Sequence, residues 1–289
     1  MKNMYFWLLL PILVYLAYIS TFFFIQRKIL FPLESLPSPD QQLIIKSGGT
    51  LHKLEIDGGV FEVAYLAPLT TTKEMHPVIF LAHGNGNIID DWAGRMDFMR
   101  KKGFAIVLVE YPGYGRSEGS PSYQSIKQAM YEAYQWVEQQ PQLDKNSIFL
   151  VGRSMGGGAV LTLVEDSSQN KTLSKPAAII LMSTYSSIVD LAHSRWVPAF
   201  LVKDPFDNVT ALSQYDGPSY LIHGQADKTV PISSLYKLLS VAHHAQHRIY
   251  TTGHSDTPDD WLDFWHQVLN FIQSTSHPTV DSAHHSIEK

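Results

Sequence analysis

Three side-chain types that together transfer acyl groups each follow a short apolar run in this chain: Ser154 after "SIFLV", Asp227 after "PSYLIH" and His254 after "HRIYTT". A serine hydroxyl becomes a nucleophile when an imidazole takes its proton, a carboxylate orients that imidazole, and two donors hold the oxyanion that forms. The order serine, acid, histidine is the one expected on an open α/β sheet. The pattern Gly-Arg-Ser-x-Gly, however, occurs twice, at 115–119 and at 152–156, so Ser117 competes with Ser154.

Context separates the two. Ser154 stands directly after a buried-strand pattern, with Gly152 before it and "MGGGAVLTLV" after it. That is the strand-turn-helix setting in which a strained serine is exposed at a sharp turn. Gly156, Gly157 and Gly158 would each cost on the order of 1 kcal/mol against alanine inside a helix, so close packing of helix on strand explains them better than local preference does. Ser117 instead lies in "YPGYGRSEG", about ten loop residues ahead of Ser120-Pro121, which reads as a helix cap followed by proline at the first helical position. Its expected role is a hydroxyl bonded to nearby backbone.

Asp227 follows its strand by four residues in "QADKTVP" and is the preferred acid. Asp204 and Asp207 in "KDPFDNV" are its rivals, otherwise turn and cap residues. His254, in "TGHSD", is the preferred base among 13 histidines, while His243, His244, His247, His284 and His285 lie in polar surroundings and read as surface residues. No H-E-x-x-H or comparable ligand set suggests a metal. The oxyanion donors are expected to be the backbone amides of Met155, at the start of the helix, and of Asn85 in "FLAHGNGN", at the end of another strand. Read as a dinucleotide fingerprint, G-N-G lacks its third glycine.

These residues need a frame that gathers strand ends. The apolar runs "PVIFLAH", "FAIVLVE", "SIFLV", "AAIILMS", "PSYLIH" and "HRIYTT" alternate with helical patterns at 88–101, 121–140, 154–167, 232–242 and 259–273. Nearly continuous apolar strands separated by helices indicate a mostly parallel sheet covered on both faces, with ligands at its carboxyl ends. "QLIIKS" and "VFEVAYLAP" read as antiparallel edge strands. This α/β domain is expected over 42–273, followed by a polar tail at 274–289.

The first thirty residues are of another kind. From Met4 to Ile25 no residue is charged, and about 20 apolar residues suffice to cross a bilayer. The run is too long, and lacks the small-x-small ending, for a typical cleaved signal. Residues 1–30 are therefore read as an uncleaved single-pass anchor held by the lipid bilayer. Lys2 and the amino terminus face Arg27 and Lys28 across the span, so charge fixes no orientation. The proline-rich "FPLESLPSPD" then reads as a linker, 31–41, that lifts the soluble part away from the bilayer. Between "AAIILMS" and "PSYLIH" only about 35 residues remain for a cap. Trp196, Val197, Phe200, Leu201 and Val202 form an apolar group there that either packs on the core or lines an acyl groove.

Net charge is −5 and basic residues are scattered beyond short groups such as Arg100-Lys101-Lys102, which argues against nucleic acid as a partner. There are no cysteines, so disulfides, thiolate zinc sites and cysteine nucleophiles are excluded together.

Taken in order, "HGNGN", "YPGYGRSEGSPS", "GRSMGG", "FDNV", "HGQADKTVP" and "GHSD" resemble the α/β-hydrolase family, more narrowly its membrane-anchored serine hydrolases, over most of 60–272. The resemblance implies a serine hydrolase with Ser154 as nucleophile, Asp227 and His254 completing the triad, and Asn85 and Met155 supplying the oxyanion hole. It also implies that "GYGRSEGSP" is a structural loop. Pro112 stands where many relatives carry arginine. No cofactor is implied. The expected substrate is a lipophilic carboxylic ester or thioester. A peptidase or amidase of the same fold, or a non-catalytic binding module, are the alternatives.

Overall fold

The computed structural model describes residues 2–70, 74–165 and 173–276, with side chains from Leu8 to Thr275. Helix α1 (Lys2–Leu30) opens the chain, followed by the single turn and a half of α2 (Gln41–Lys46). The described residues then build an eight-stranded sheet from β1 (Gly49–Ile56), β2 (Gly59–Leu66), β3 (His76–Ala82), β4 (Ala105–Val109), β5 (Leu143–Arg153), β6 (Ala178–Met182), β7 (Pro218–Gly224) and β8 (His244–Tyr250). Their spatial order is β1-β2-β4-β3-β5-β6-β7-β8. β2 runs antiparallel to both of its neighbours, and the pairings from β4 through β8 are parallel.

Among the described residues, seven α-helices connect and cover these strands: α3 (Asp97–Lys101), α4 (Tyr123–Glu138), α5 (Met155–Leu161), α6 (Ile188–His193), α7 (Asn208–Ser213), α8 (Ser233–Leu239) and α9 (Trp261–Ser276). Every residue of β4 and of β6 is buried, as expected for strands covered on both faces. The core accordingly has two halves. Phe80, Ile126, Met130 and Leu150 pack on one side of the sheet with α4 and α5, and Ile79, Trp92, Phe264 and Trp265 pack on the other with α9.

The register aligns the carboxyl ends. Ala82 of β3 lies beside Val109 of β4 and Gly152 of β5, Met182 of β6 beside Ile222 of β7, and Gly224 of β7 beside Tyr250 of β8. The residues after β3, β5, β7 and β8 therefore emerge along one edge, which is where Asn85, Ser154, Asp227 and His254 fall.

Four expectations about the first half of the chain need correction. "QLIIKS" is helix α2: the Asp40 side chain accepts from the Gln42 amide, and one side chain, Ile44, turns into the core while Leu43 and Ile45 stay outside. The strand paired with β2 is instead 49–56, whose half-exposed alternation is weak. Helix α4 is capped by Ser122, two residues after the expected Ser120, because Ser122 and Ser125 bond reciprocally to each other's backbone amides.

The fourth correction concerns the linker. Phe31 is buried in the core, and α1 docks on the domain rather than standing away from it. The Gln26 side chain donates to the Leu201 carbonyl at 2.9 Å and accepts from the Lys203 amide at 2.8 Å. Arg27 donates twice to Asp204, at 2.8 and 3.1 Å. From Leu8 onward α1 is long and apolar enough to cross a membrane, the span beginning there reaching a mean hydropathy of 2.3. The expected polar tail begins inside α9 and from 277 onward, His284 and His285 included, lies outside the described residues.

Candidate active site

Ser154 follows β5 without an intervening residue and immediately precedes α5. Its backbone sits at φ 52° and ψ −114°, a conformation that L-residues rarely adopt, and its amide donates to the Met182 carbonyl of the next strand at 2.8 Å. The turn is possible because Gly152, two residues before the serine, and Gly156 and Gly157, two and three residues after it, lack side chains. A Cβ on Gly156 would overlap the Ala82 carbonyl, and one on Gly157 would overlap the Thr184 side chain. Gly156 and Gly157 thus bring α5 against the end of β3 and the residues just after β6, and Gly158 brings it against Tyr185 and Phe206.

The histidine and the acid converge on this serine. His254 Nε2 lies 3.0 Å from Ser154 Oγ, and His254 Nδ1 lies 2.7 Å from Asp227 Oδ2. An ionised carboxylate only accepts, so Nδ1 carries the proton and Nε2 presents its lone pair to the hydroxyl. The other Asp227 oxygen accepts from the amides of Thr229 and Val230, both at 2.8 Å. Burial alone would raise the Asp227 pKa, but the bond from His254 and those two amides hold the carboxyl below its ordinary range. The acid therefore remains charged at neutral pH. The expected alternative role, a turn carboxylate, is filled by the same side chain.

A buried histidine and a half-buried arginine hold this arrangement from behind. His223 donates through Nε2 to the Val230 carbonyl at 2.9 Å and packs beside Asp227. Burial pushes its ring below the ordinary value, against the opposing pull of the Val230 carbonyl and Asp227. Arg153, the residue before the serine, donates to the His254 carbonyl at 3.0 Å and so ties the β8 loop to the elbow. Burial, with Arg95 nearby, lowers its guanidinium pKa.

Met155 is the first residue of α5, where the amide has no acceptor within the helix. Asn85 lies in the loop after β3 and lines the same cavity as Ser154 and Met155. Its side-chain amide is engaged elsewhere, donating to the Leu30 carbonyl at the end of α1 at 3.1 Å.

The remaining candidates are turned to other tasks. Ser117 Oγ accepts from the Glu62 amide at 3.0 Å, and its neighbour Arg116 pairs with Asp90 and Glu62. Asp204 is held by Arg27 and accepts from the Tyr123 amide at 2.8 Å, while Asp207 caps α7 by accepting from Thr210. His243 faces the Ser213 carbonyl, and His244 and His247 are exposed on β8.

The cavity over Ser154 has a volume of about 390 Å³ and is mainly apolar. Of the apolar group at 196–202, none lines it: Val197 is buried in the fold, whereas Trp196 and Phe200 are 82% and 84% exposed. Its walls come from α6 and, unanticipated from the sequence, from α1, through Phe22, Ile25 and Ile29. The one available signal was Gln26, a polar residue at the end of the apolar run.

The family model of serine aminopeptidase, S33, matches residues 73–203. The chain is 27% identical over 224 residues to the α/β-hydrolase domain-containing protein WAV2 of Arabidopsis thaliana, covering 68% of this chain and 69% of that one. It is 28% identical over 188 residues to the lysophosphatidylserine lipase ABHD12 of Danio rerio, covering 58% of this chain and 47% of that one. Among solved structures, an α/β hydrolase from Vibrio vulnificus superposes with a TM-score of 0.70 at 17% identity, over 86% of this chain and 92% of that one.

Proposed function

From the premise that the chain is an α/β-hydrolase, we propose that it is a bilayer-anchored serine esterase acting on a lipophilic carboxylic ester or thioester. His254 Nε2 accepts the Ser154 proton as Oγ attacks the acyl carbonyl. The amides of Met155 and Asn85 hold the tetrahedral oxyanion, and the protonated His254, oriented by Asp227, passes its proton to the leaving oxygen or sulfur. Water, deprotonated by the same imidazole, then attacks the acyl-enzyme, releases the acid and restores Ser154. α1 crosses the bilayer and holds the hydrolase domain at the end marked by Arg27 and Lys28.

The observation that supports this reading is the 3.0 Å approach of His254 Nε2 to a Ser154 hydroxyl that opens onto an apolar cavity. The lipase ABHD12 supports a lipid-like substrate by relationship. A peptidase reading is favoured by the serine aminopeptidase model. An aminopeptidase needs a carboxylate for the substrate's ammonium, and among the described residues lining the cavity there is none, the one charged group being Arg195.

Full-length protein in detergent micelles tests the choice between p-nitrophenyl esters and aminoacyl p-nitroanilides. Ester turnover is expected, falling about 10⁴-fold or more in Ser154→Ala. Anilide turnover exceeding ester turnover, and lost in the same variant, would replace the esterase by the peptidase.

A further inference from the structure

One stripe of α1 faces the cavity, apart from the contacts of Phe23 with Lys203 and of Arg27 with Asp204 on another side of the helix. Tyr18, Thr21, Phe22, Ile25, Gln26 and Ile29 recur at steps of three and four residues, which places them on a single helix face, and all six line the cavity that contains Ser154. Phe24, on another face and outside the cavity lining, is 73% exposed, whereas Ile25 and Ile29, open to the cavity, are 41% and 60% exposed.

The stripe has a direction. At its Leu30 end the helix carbonyl accepts from Asn85, so this end lies beside the proposed oxyanion donor. At its other end Tyr18 Oη donates to the Arg195 carbonyl at 2.7 Å, and one turn earlier Tyr15 donates to that of Trp196 at 2.9 Å. From Leu30 to Tyr18 the helix runs about 18 Å, room for roughly a dozen methylenes laid alongside it.

The same direction is a depth axis. Met4 to Ile25 is the uncharged run that would occupy the hydrocarbon layer, with Arg27 and Lys28 at its edge. The groove therefore starts at a polar reaction centre near the bilayer surface and descends beside the apolar residues of α1 and α6, with Arg195, the one charged residue of the lining, at its Tyr18 end. Trp196 and Phe200, exposed on the segment that Tyr15, Tyr18 and Gln26 hold, would stand in the same layer. Trp196 is kept at φ 59°, an unfavourable conformation for a bulky residue, while presenting its ring outward.

We propose that the Tyr18–Leu30 face of α1 is one wall of the acyl-binding site, so that the membrane helix selects a bilayer-resident acyl lipid by its chain, which lies along Ile29, Ile25 and Phe22 with its ester at Ser154. This rests on the serine-esterase reading above. It assigns α1 a substrate-binding role besides anchoring, and it makes acyl-chain length a property of helix residues far from the triad in sequence.

The test is the chain-length profile of full-length protein in lipid nanodiscs, measured with p-nitrophenyl esters from butyrate to palmitate. Ile25→Trp narrows the groove and is expected to lower the laurate-to-butyrate ratio of kcat/KM at least tenfold. Phe24→Trp, on the opposite face, is expected to keep the wild-type ratio within about twofold. If Ile25→Trp does not accumulate, Phe22→Ala, which only removes atoms, is expected to move the optimum toward longer chains. An active enzyme whose profile is the same in wild type, Ile25→Trp and Phe22→Ala overturns the proposal while leaving the esterase reading intact. A wild-type protein that hydrolyses no ester of the series and takes up no fluorophosphonate at Ser154 overturns that reading, and the proposal with it.

Discussion

Residues 115–119 and 152–156 carry the same Gly-Arg-Ser-x-Gly pattern, and the two copies use it in opposite ways. In the first, both polar side chains turn back into the fold: Ser117 accepts from an amide of β2, and Arg116 clamps two buried carboxylates, Asp90 and Glu62. Positive φ is taken by Gly113, Gly115 and Gly119, residues that adopt it without strain. In the second, the serine itself takes the positive φ, its hydroxyl faces His254, and Arg153 reaches across to the loop that carries that histidine. Where glycine takes the positive φ, without strain, the loop is a brace; where the serine takes it, the side chain is pushed out of the backbone's own hydrogen bonding and toward the cavity.

The two copies should part most sharply at the proposed triad. Asp227→Asn is expected to reduce ester turnover about 10⁴-fold, because an amide can stabilise the wrong histidine tautomer, while leaving circular dichroism unchanged. A loss below tenfold would mean that Asp227 does not orient His254. Next is the elbow backbone: Gly156→Ala would drive a methyl group into the Ala82 carbonyl, costing about 1–3 kcal/mol or more in chemical denaturation and displacing the Asn85 loop. In the bracing copy the sensitive residue is the arginine. Arg116→Ala leaves Asp90 and Glu62 without their cation and is expected to cost about 3–5 kcal/mol of stability, with per-molecule activity retained in the folded fraction.

Ser117→Ala should cost only about 1 kcal/mol, the loss of one acceptor for a buried amide, with kcat within about threefold of wild type. The smallest effect concerns pH. His223 binds a proton less readily folded than unfolded, so the stability tied to it is complete above about pH 6.5 and falls as the pH drops toward its lowered folded value. The depressed Asp227 has the same sign in a more acidic window. His223→Gln, which can still donate to the Val230 carbonyl, should show a smaller drop in Tm between about pH 7.5 and 5.5 than wild type. An equal drop would show that His223 does not carry the acid sensitivity.

How far sequence could reach depended on burial. The runs that became β3 through β7 are mostly buried, and such strands announce themselves by continuous hydrophobicity. Because those strands are parallel, their ends gather, and chain order alone suffices to bring Ser154, Asp227 and His254 to one edge. The errors fell where burial is partial. "QLIIKS" is too short for its period to distinguish a strand from a turn of helix with one buried residue, Ile44. β1, half-exposed throughout, gave no clear alternation.

The contribution of α1 to the cavity was illegible for a different reason. A helix as apolar on every side as α1 has no moment to mark the face that meets protein. That face is marked by polar contacts between residues some 175 positions apart, Gln26 with Leu201 and Tyr18 with Arg195. Nothing in local pattern encodes such pairs.

The central claim, that only the second serine is reactive, is tested most directly by locating the adduct of a fluorophosphonate on full-length protein by peptide mass mapping. Both serines follow an arginine, so trypsin places each at the start of its own peptide, Ser117 to Lys127 and Ser154 to Lys171. The account predicts the phosphonyl group on the Ser154 peptide alone, abolished in His254→Ala. An adduct on the Ser117 peptide that survives Ser154→Ala would contradict it.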